Sequence, residues 1–217
     1  MTVRAREARD RRSAIAIITD PDVVTRHLED AAHFPGGHAQ AVARPSSEGE
    51  VAALVSGSPL VLPIGAQSSL TGGATPHGGF ILSTDRLTHI ELQSDGRVRA
   101  GAGVPLSVLQ ETLARAHRWY PPVPTFTGAF VGGVIATNAA GAATFKYGPT
   151  RPWVEGLTVV LACGCVLDLE RGAAITARAT GWTIACAHGE RTIHPGSYRM
   201  PAVAKCSAGY FATSSGI

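Results

Sequence analysis

A chain of 217 residues with 45% hydrophobic and 16% charged side chains has a globular composition, which excludes an intrinsically disordered protein. Nineteen Lys and Arg against sixteen Asp and Glu leave a net charge of +3, too even a balance for a nucleic-acid or anionic-membrane surface. The length suffices for one domain or two small lobes, each with its own core.

The basic residues concentrate at the start, in RAREARDRR (Arg4 to Arg12), so residues 1–18 read as a solvated, poorly ordered terminus. Arg11 and Arg12 precede the apolar SAIAII, but Thr19-Asp20-Pro21 ends that run. It is too short for a signal peptide core or a bilayer span, and a soluble, cytoplasmic protein is expected.

TDPDVVTRHLEDAA predicts a helix capped by Thr19 or Asp20, with Pro21 in its first turn and an apolar stripe at Val23, Val24 and Leu28. AVARPSSEGEVAALVSG reads as a short strand, a proline turn and a helix. Ser47 and Glu50 stand at capping-box spacing before Val51, Leu54 and Val55. PLVLPIG and GFILST are further strands, and strand–helix–strand at this spacing is a small parallel unit. From His89 the period changes. HIELQSDGRVRAGAGV is a hairpin around Asp95-Gly96, and PLSVLQETLARAH is a helix opening at Pro105 that buries Leu106, Leu109 and Leu113. GLTVVLACGCVLDLERG is a second hairpin, turning at Cys163-Gly164. The chain thus divides into a parallel βαβ lobe, residues 19–88, and a larger α+β lobe, residues 89–217, with an antiparallel sheet. The two meet between Leu87 and Gly101.

Cys163 and Cys165 lack the two-residue spacer of zinc knuckles and read as packing or turn residues. Cys186, His188 and His194 match no metal template, so neither a metal site nor a disulfide is expected.

Two bare segments carry the chemistry. Gly65-Ala66-Gln67-Ser68-Ser69-Leu70-Thr71-Gly72-Gly73 follows an apolar strand and holds no charge. Glycines admit positive φ and let successive N–H groups converge on an anion, while Ser68, Ser69 and Thr71 add neutral donors. It is not a P-loop, because Gly73 is followed by Ala74-Thr75 rather than a Lys. It is not G-x-G-x-x-G either, because Gln67 stands where the second glycine belongs. The second segment, PPVPTFTGAFVGGVIATNAAGAATFKYG (Pro121 to Gly148), is equally bare and carries one charge, Lys146. Thr125, Thr127, Thr137 and Asn138 offer polar contacts there. VGGVIATNAAG also reads as a small-residue helix packed closely on its neighbours.

Together with AVARPSSEGEVAALV, GAGVPLSVLQETL, KYGPTR and GLTVVLACGCVLDL, these segments resemble the FAD-binding domain of the p-cresol methylhydroxylase/vanillyl-alcohol oxidase (PCMH) type. The nearest branch holds the glycolate oxidase flavoprotein subunit and the D-lactate and D-2-hydroxyglutarate dehydrogenases. The resemblance implies a two-lobed α+β FAD domain in which Gly65, Ala66, Gln67, Ser68, Ser69, Leu70, Thr71 and Gly72 hold the pyrophosphate. It implies that Pro124, Thr125, Gly128 and Ala129 line the flavin, that Gly132 and Gly133 permit its close approach, and that Thr137, Asn138, Ala139 and Ala140 complete the wall. FAD is expected to bind non-covalently, because family members with a histidyl link carry that histidine where this chain has Ser68; His77 reads as a surface turn residue. The chain departs from the family at Gln67 (usually glycine), Ile64 (often arginine), Val123 and Pro152 (often Asp) and Cys163 (usually a turn Asp).

The family couples this domain to a C-terminal substrate cap, reached through a GSEGTLG-like run. Neither follows KCSAGYFATSSGI, so a fragment without its cap is expected, with no assigned catalytic residue. Lys146, Tyr147 and Arg151 are candidates for flavin electrostatics and read first as loop anchors. The expected function is an FAD-linked oxidoreductase for a 2-hydroxy acid or similar alcohol. A non-catalytic flavin-binding remnant and a UDP-N-acetylenolpyruvoylglucosamine reductase-like enzyme stay open as alternatives.

Overall fold

The computed structural model describes residues 2–9, 14–172 and 182–194; Cys206 and the tail beyond His194 lie outside them. After an opening strand β1 (Thr2–Arg4), the first lobe is built on four strands: β2 (Ala16–Ile18), β3 (Ala41–Arg44), β4 (Val61–Ile64) and β5 (Phe80–Ser83). Their order is β2-β3-β5-β4. The last three run parallel and β2 lies antiparallel on the edge.

Alternation along β3, β5 and β4 sorts side chains to two faces. Val42, Ile64 and Ile81 pack with Val24 of helix α1 (Pro21–Thr25), while Ala43 and Leu82 pack with Leu54 of helix α2 (Glu48–Gly57). Each such aliphatic side chain contributes about 1.5–3 kcal/mol when fully buried. Asp20 caps α1, its carboxylate accepting from the N–H groups of Asp22 and Val23. The helix is shorter than its sequence pattern, because carbonyls beyond it serve Gln67 instead of continuing the helical ladder. Ser47 caps α2, and Glu50 reaches back to the N–H of Ser46 rather than Ser47, a capping box displaced by one residue.

The lobes join backbone to backbone. Gly103 lies so close to Thr84 that a Cβ would fall 1.8 Å from the Thr84 carbonyl oxygen, and Leu87 and Gly103 complete the crossing with main-chain hydrogen bonds. The hairpin β6 (Ile90–Leu92) and β7 (Val98–Ala100) turns at Asp95-Gly96, where Gly96 has φ 94°. Helix α3 (Leu106–Arg115) buries Leu106, Leu109 and Leu113 against Val104, Val131 and Val134. Val131 and Val134 belong to helix α4 (Val131–Ala136), and α5 (Thr144–Tyr147) follows.

A second hairpin, β8 (Gly156–Val160) and β9 (Val166–Glu170), returns to the first lobe: a Cβ on Gly164 in its turn would lie 3.0 Å from the Ala52 carbonyl of α2. The expected loose terminus is corrected for residues 2–9. Strand β1 pairs in parallel with β10 (Trp182–Cys186), which forms a hairpin with β11 (Gly189–Ile193). Arg6 bridges to Val166, and its guanidinium binds Glu48 at 2.6 and 2.9 Å and Asp168 at 2.6 and 3.3 Å. The basic run thus supplies a clamp between α2 and β9, which charge counting alone could not reveal. No described helix is long and apolar enough to cross a membrane.

Candidate flavin site

The loop after β4 is held from its rim. Gln67 adopts φ 49°, the left-handed region that favours glycine. Its side-chain amide lies within hydrogen-bonding distance of three carbonyls, those of His27 (3.0 Å), Glu29 (2.8 Å) and Ala74 (3.2 Å). Its own carbonyl accepts from Ala31, and the buried Asp30 carboxylate accepts from Ala32 and Ala74. These bonds fasten both ends of the loop to the segment after α1. The span between them is left unspent: among the described residues, the N–H groups of Ala66, Gln67, Ser68, Ser69 and Leu70 meet no protein acceptor. Ser69 and Thr71 share a 2.9 Å hydroxyl contact, and Ser68, Leu70 and Thr71 face outward. A charge-free arc of main-chain donors is the chemistry an anionic diphosphate needs.

The second segment is braced from behind. Gln110 of α3 exchanges two hydrogen bonds with the Tyr120 backbone. Burial pushes the Tyr120 hydroxyl above its usual range, and that hydroxyl donates to Thr150 at 2.7 Å. Pro124 is buried, while Thr125 and Thr127 are exposed. Gly128 folds against the Phe126 ring, where a Cβ would lie 2.6 Å from the ring. Ala129 accepts from Leu106, pinning the turn to α3.

The two glycines of α4 separate in role. Gly132 faces inward, where a Cβ would meet that of Ala102 at 2.8 Å, so its smallness serves packing. Gly133 is exposed, and a Cβ there would meet nothing within 4 Å. Thr137 returns its hydroxyl to the Gly133 carbonyl. Asn138 is fully buried in the left-handed region, φ 47°, and its Oδ1 accepts from Arg151 N–H. Asn138 therefore ends the helix and anchors the next loop, with its side chain directed inward. Ala139 accepts from both the backbone and the hydroxyl of Thr150 and, with Ala140, remains half-buried on the same stretch.

The segments meet: a Cβ on Gly65 would lie 3.3 Å from Phe130 Cβ, with only the glycine main chain between loop and α4. Lys146 lies 5.0 Å over the Tyr147 ring, Tyr147 stacks edge-on with Trp119, and its carbonyl accepts from Trp153. These are anchoring contacts. His77 is exposed but forms a parallel β-bridge with His38 rather than a turn, with its ring edge-on to Phe34 and His38.

One grouping escaped the sequence reading. Cys163, Cys165, Cys186 and His188 bring their donor atoms within 4.8 Å of one another. The spacer within each pair gave no signal. Only the apposition of two hairpin turns unites the four.

A family model described as FAD binding domain matches residues 39–170, more than half of the chain. The D-lactate dehydrogenase of Archaeoglobus fulgidus is 39% identical over 134 residues, covering 59% of this chain and 30% of that protein. The D-2-hydroxyglutarate dehydrogenase of Xanthomonas citri pv. viticola is 32% identical over 165 residues, 72% of this chain and 35% of the relative. The chain spans about a third of the length of these relatives. Among solved structures, 6-hydroxy-D-nicotine oxidase from Arthrobacter nicotinovorans superposes with a TM-score of 0.65 at 22% identity, over 77% of this chain and 38% of the oxidase. Both bare segments lie inside the matched region, and the chain belongs to the FAD-binding domain family, with the PCMH-type fold of FAD-linked oxidases.

Proposed function

We propose that this chain is the flavin-holding part of an FAD-dependent oxidoreductase that oxidises a 2-hydroxy acid. The observation that carries the reading is the arc of five loop amides without a protein acceptor, set against a second small-residue segment whose one charge is Lys146. The names of the relatives, D-lactate dehydrogenase, D-2-hydroxyglutarate dehydrogenase and a glycolate oxidase subunit, support the substrate class.

In this reading the backbone from Gly65 to Gly72 holds the diphosphate, and Ser68, Ser69 and Thr71 add hydroxyl donors. Pro124, Thr125, Gly128 and Ala129 line the ring, and Gly133 leaves room for it. Thr137, Ala139 and Ala140 close the wall, while Gly132 and Asn138 shape it from behind. No histidine lies between Gly65 and Gly73, which supports non-covalent binding. Bound there, FAD supplies hydride acceptance, and the protein supplies position and an uncharged lining.

The test is a flavin titration followed by turnover. The purified chain is expected to take up FAD with a structured visible spectrum, and dye reduction with a panel of D-2-hydroxy acids then separates an enzyme from a flavin-binding remnant. A protein that takes up no FAD refutes the flavin site. Uptake with dye reduction establishes an enzyme that acts on hydroxy acids, and uptake without it shows that this chain alone holds flavin and does not turn over.

A further inference from the structure

We propose that Cys163, Cys165, Cys186 and His188 form a structural zinc site that fastens the β10–β11 hairpin to the β8–β9 turn. Each turn contributes two donors one residue apart: Cys163 and Cys165 around Gly164, and Cys186 and His188 around Ala187. Gly164 at φ 78° and the hydrogen bond from its N–H to Leu161 tighten the first turn, so its two thiols converge on one side.

Strand β1 sets the turns opposite each other. The N–H of Ala5 donates to Ala185, the neighbour of Cys186. The next residue, Arg6, exchanges N–H···O bonds with Val166, the neighbour of Cys165. Two consecutive residues thus hold the two ligand pairs in register, and Arg6 is itself locked by Glu48 and Asp168.

Two of the six donor–donor distances match the edges of a tetrahedral ion, and all six lie within 4.8 Å. With Zn–S near 2.3 Å and Zn–N near 2.0–2.1 Å, tetrahedral edges come to roughly 3.8 Å between sulfurs and roughly 3.6 Å from sulfur to nitrogen. Cys163 Sγ and Cys186 Sγ are 3.9 Å apart, and Cys165 Sγ and His188 Nδ1 are 3.4 Å apart. Three soft thiolates and one imidazole, with no described carboxylate in the group, select zinc over magnesium or calcium. Four protein ligands close the coordination sphere, which makes the site structural. Binding displaces the three thiol protons and leaves a site of net charge −1. Cys186 and His188 lie beyond the family match, which ends at residue 170, so the ion would clip a segment outside that match onto the flavin domain.

The competing occupant of this geometry is a Cys163–Cys186 disulfide. The experiment is elemental analysis of the full chain purified without chelator, followed by cobalt titration of the stripped, reduced protein. Stoichiometric zinc and the intense visible bands of tetrahedral thiolate-bound cobalt are expected. Cys163→Ser, Cys186→Ser and His188→Gln should each weaken cobalt binding about a hundredfold or more. His188 is exposed, so the His188→Gln variant keeps the test open if a cysteine variant fails to fold. Absence of both metals, unchanged cobalt affinity in His188→Gln, or a Cys163–Cys186 disulfide in protein purified without oxygen would overturn the site. FAD uptake is read separately and does not enter this result.

Discussion

Gly65 and Phe130 touch across the seam between the two bare segments: a methyl on Gly65 would stand 3.3 Å from Phe130 Cβ. Gly65 begins the loop and Phe130 precedes α4, so this contact sets how far apart the two walls stand. Replacing Gly65 with Leu is expected to wedge them apart. FAD affinity should fall at least about tenfold, corresponding to about 1.4 kcal/mol, while far-ultraviolet circular dichroism stays near wild type. Fluorescence titration with FAD measures it, and unchanged affinity would separate this seam from the cofactor.

Gly133 permits a sharper separation of fold from function. Alanine is the better helix former by up to about 1 kcal/mol, and nothing in the protein occupies the added methyl's place. Gly133→Ala should therefore leave the apoprotein as stable or slightly more stable, yet bind FAD more weakly. Thermal melts with and without FAD give both numbers, and equal FAD stabilisation of the two proteins would count against a ring over Gly133.

At Gln67, backbone strain and side-chain bonding oppose each other. Left-handed φ costs a non-glycine residue about 1–2 kcal/mol, and each hydrogen bond from the amide contributes about 1 kcal/mol net. Gln67→Ala loses the bonds and keeps the strain, whereas Gln67→Gly loses the bonds and removes it. Alanine is expected to destabilise more than glycine, by about 1 kcal/mol in urea unfolding. The reverse order would show that the positive φ carries no strain, and wild-type stability in Gln67→Gly would show that the bonds do not hold the turn.

Arg6 makes stability depend on pH. Its hydrogen bonds hold the Glu48 and Asp168 carboxyls below the usual carboxylate range. Carboxylates depressed in the folded state stabilise it above their unfolded pKa, and this stabilisation is lost as pH falls through the folded values. Arg6→Met should cost about 1–2 kcal/mol near neutral pH, with Glu48 contributing most because Asp168 is more exposed and better screened. The difference from wild type should shrink below about pH 4. Urea unfolding of both proteins across that range tests it, and a gap independent of pH would assign the loss to packing.

Much of the architecture is legible locally. The buried stripe of α3, the turn at Asp95-Gly96, the caps Asp20 and Ser47, and the parallel direction of β3, β4 and β5 all follow from period, turn chemistry and crossover spacing, while the strand order does not. The two bare segments are legible for the same reason: glycine density and scarcity of charge are properties of a contiguous stretch. Individual roles inside them are not. Gly132 and Gly133 are neighbours of identical chemistry, and only the position of Ala102 distinguishes one from the other. Asn138 read as a polar contact toward a ligand, yet it is buried against Arg151 because the helix needs a residue tolerant of positive φ at its end.

The sequence by itself determined that the chain builds two glycine-dense segments, the first without charge and the second with Lys146 alone, because backbone freedom and scarcity of charge are local and additive. Only the tertiary structure decided which residues share a point in space. Arg6 reaches Glu48 and Asp168 across 42 and 162 residues, and Cys165 reaches His188 across 23. Such meetings depend on how strands order and turns face one another. That is a property of the packed whole, and no short window of residues contains it.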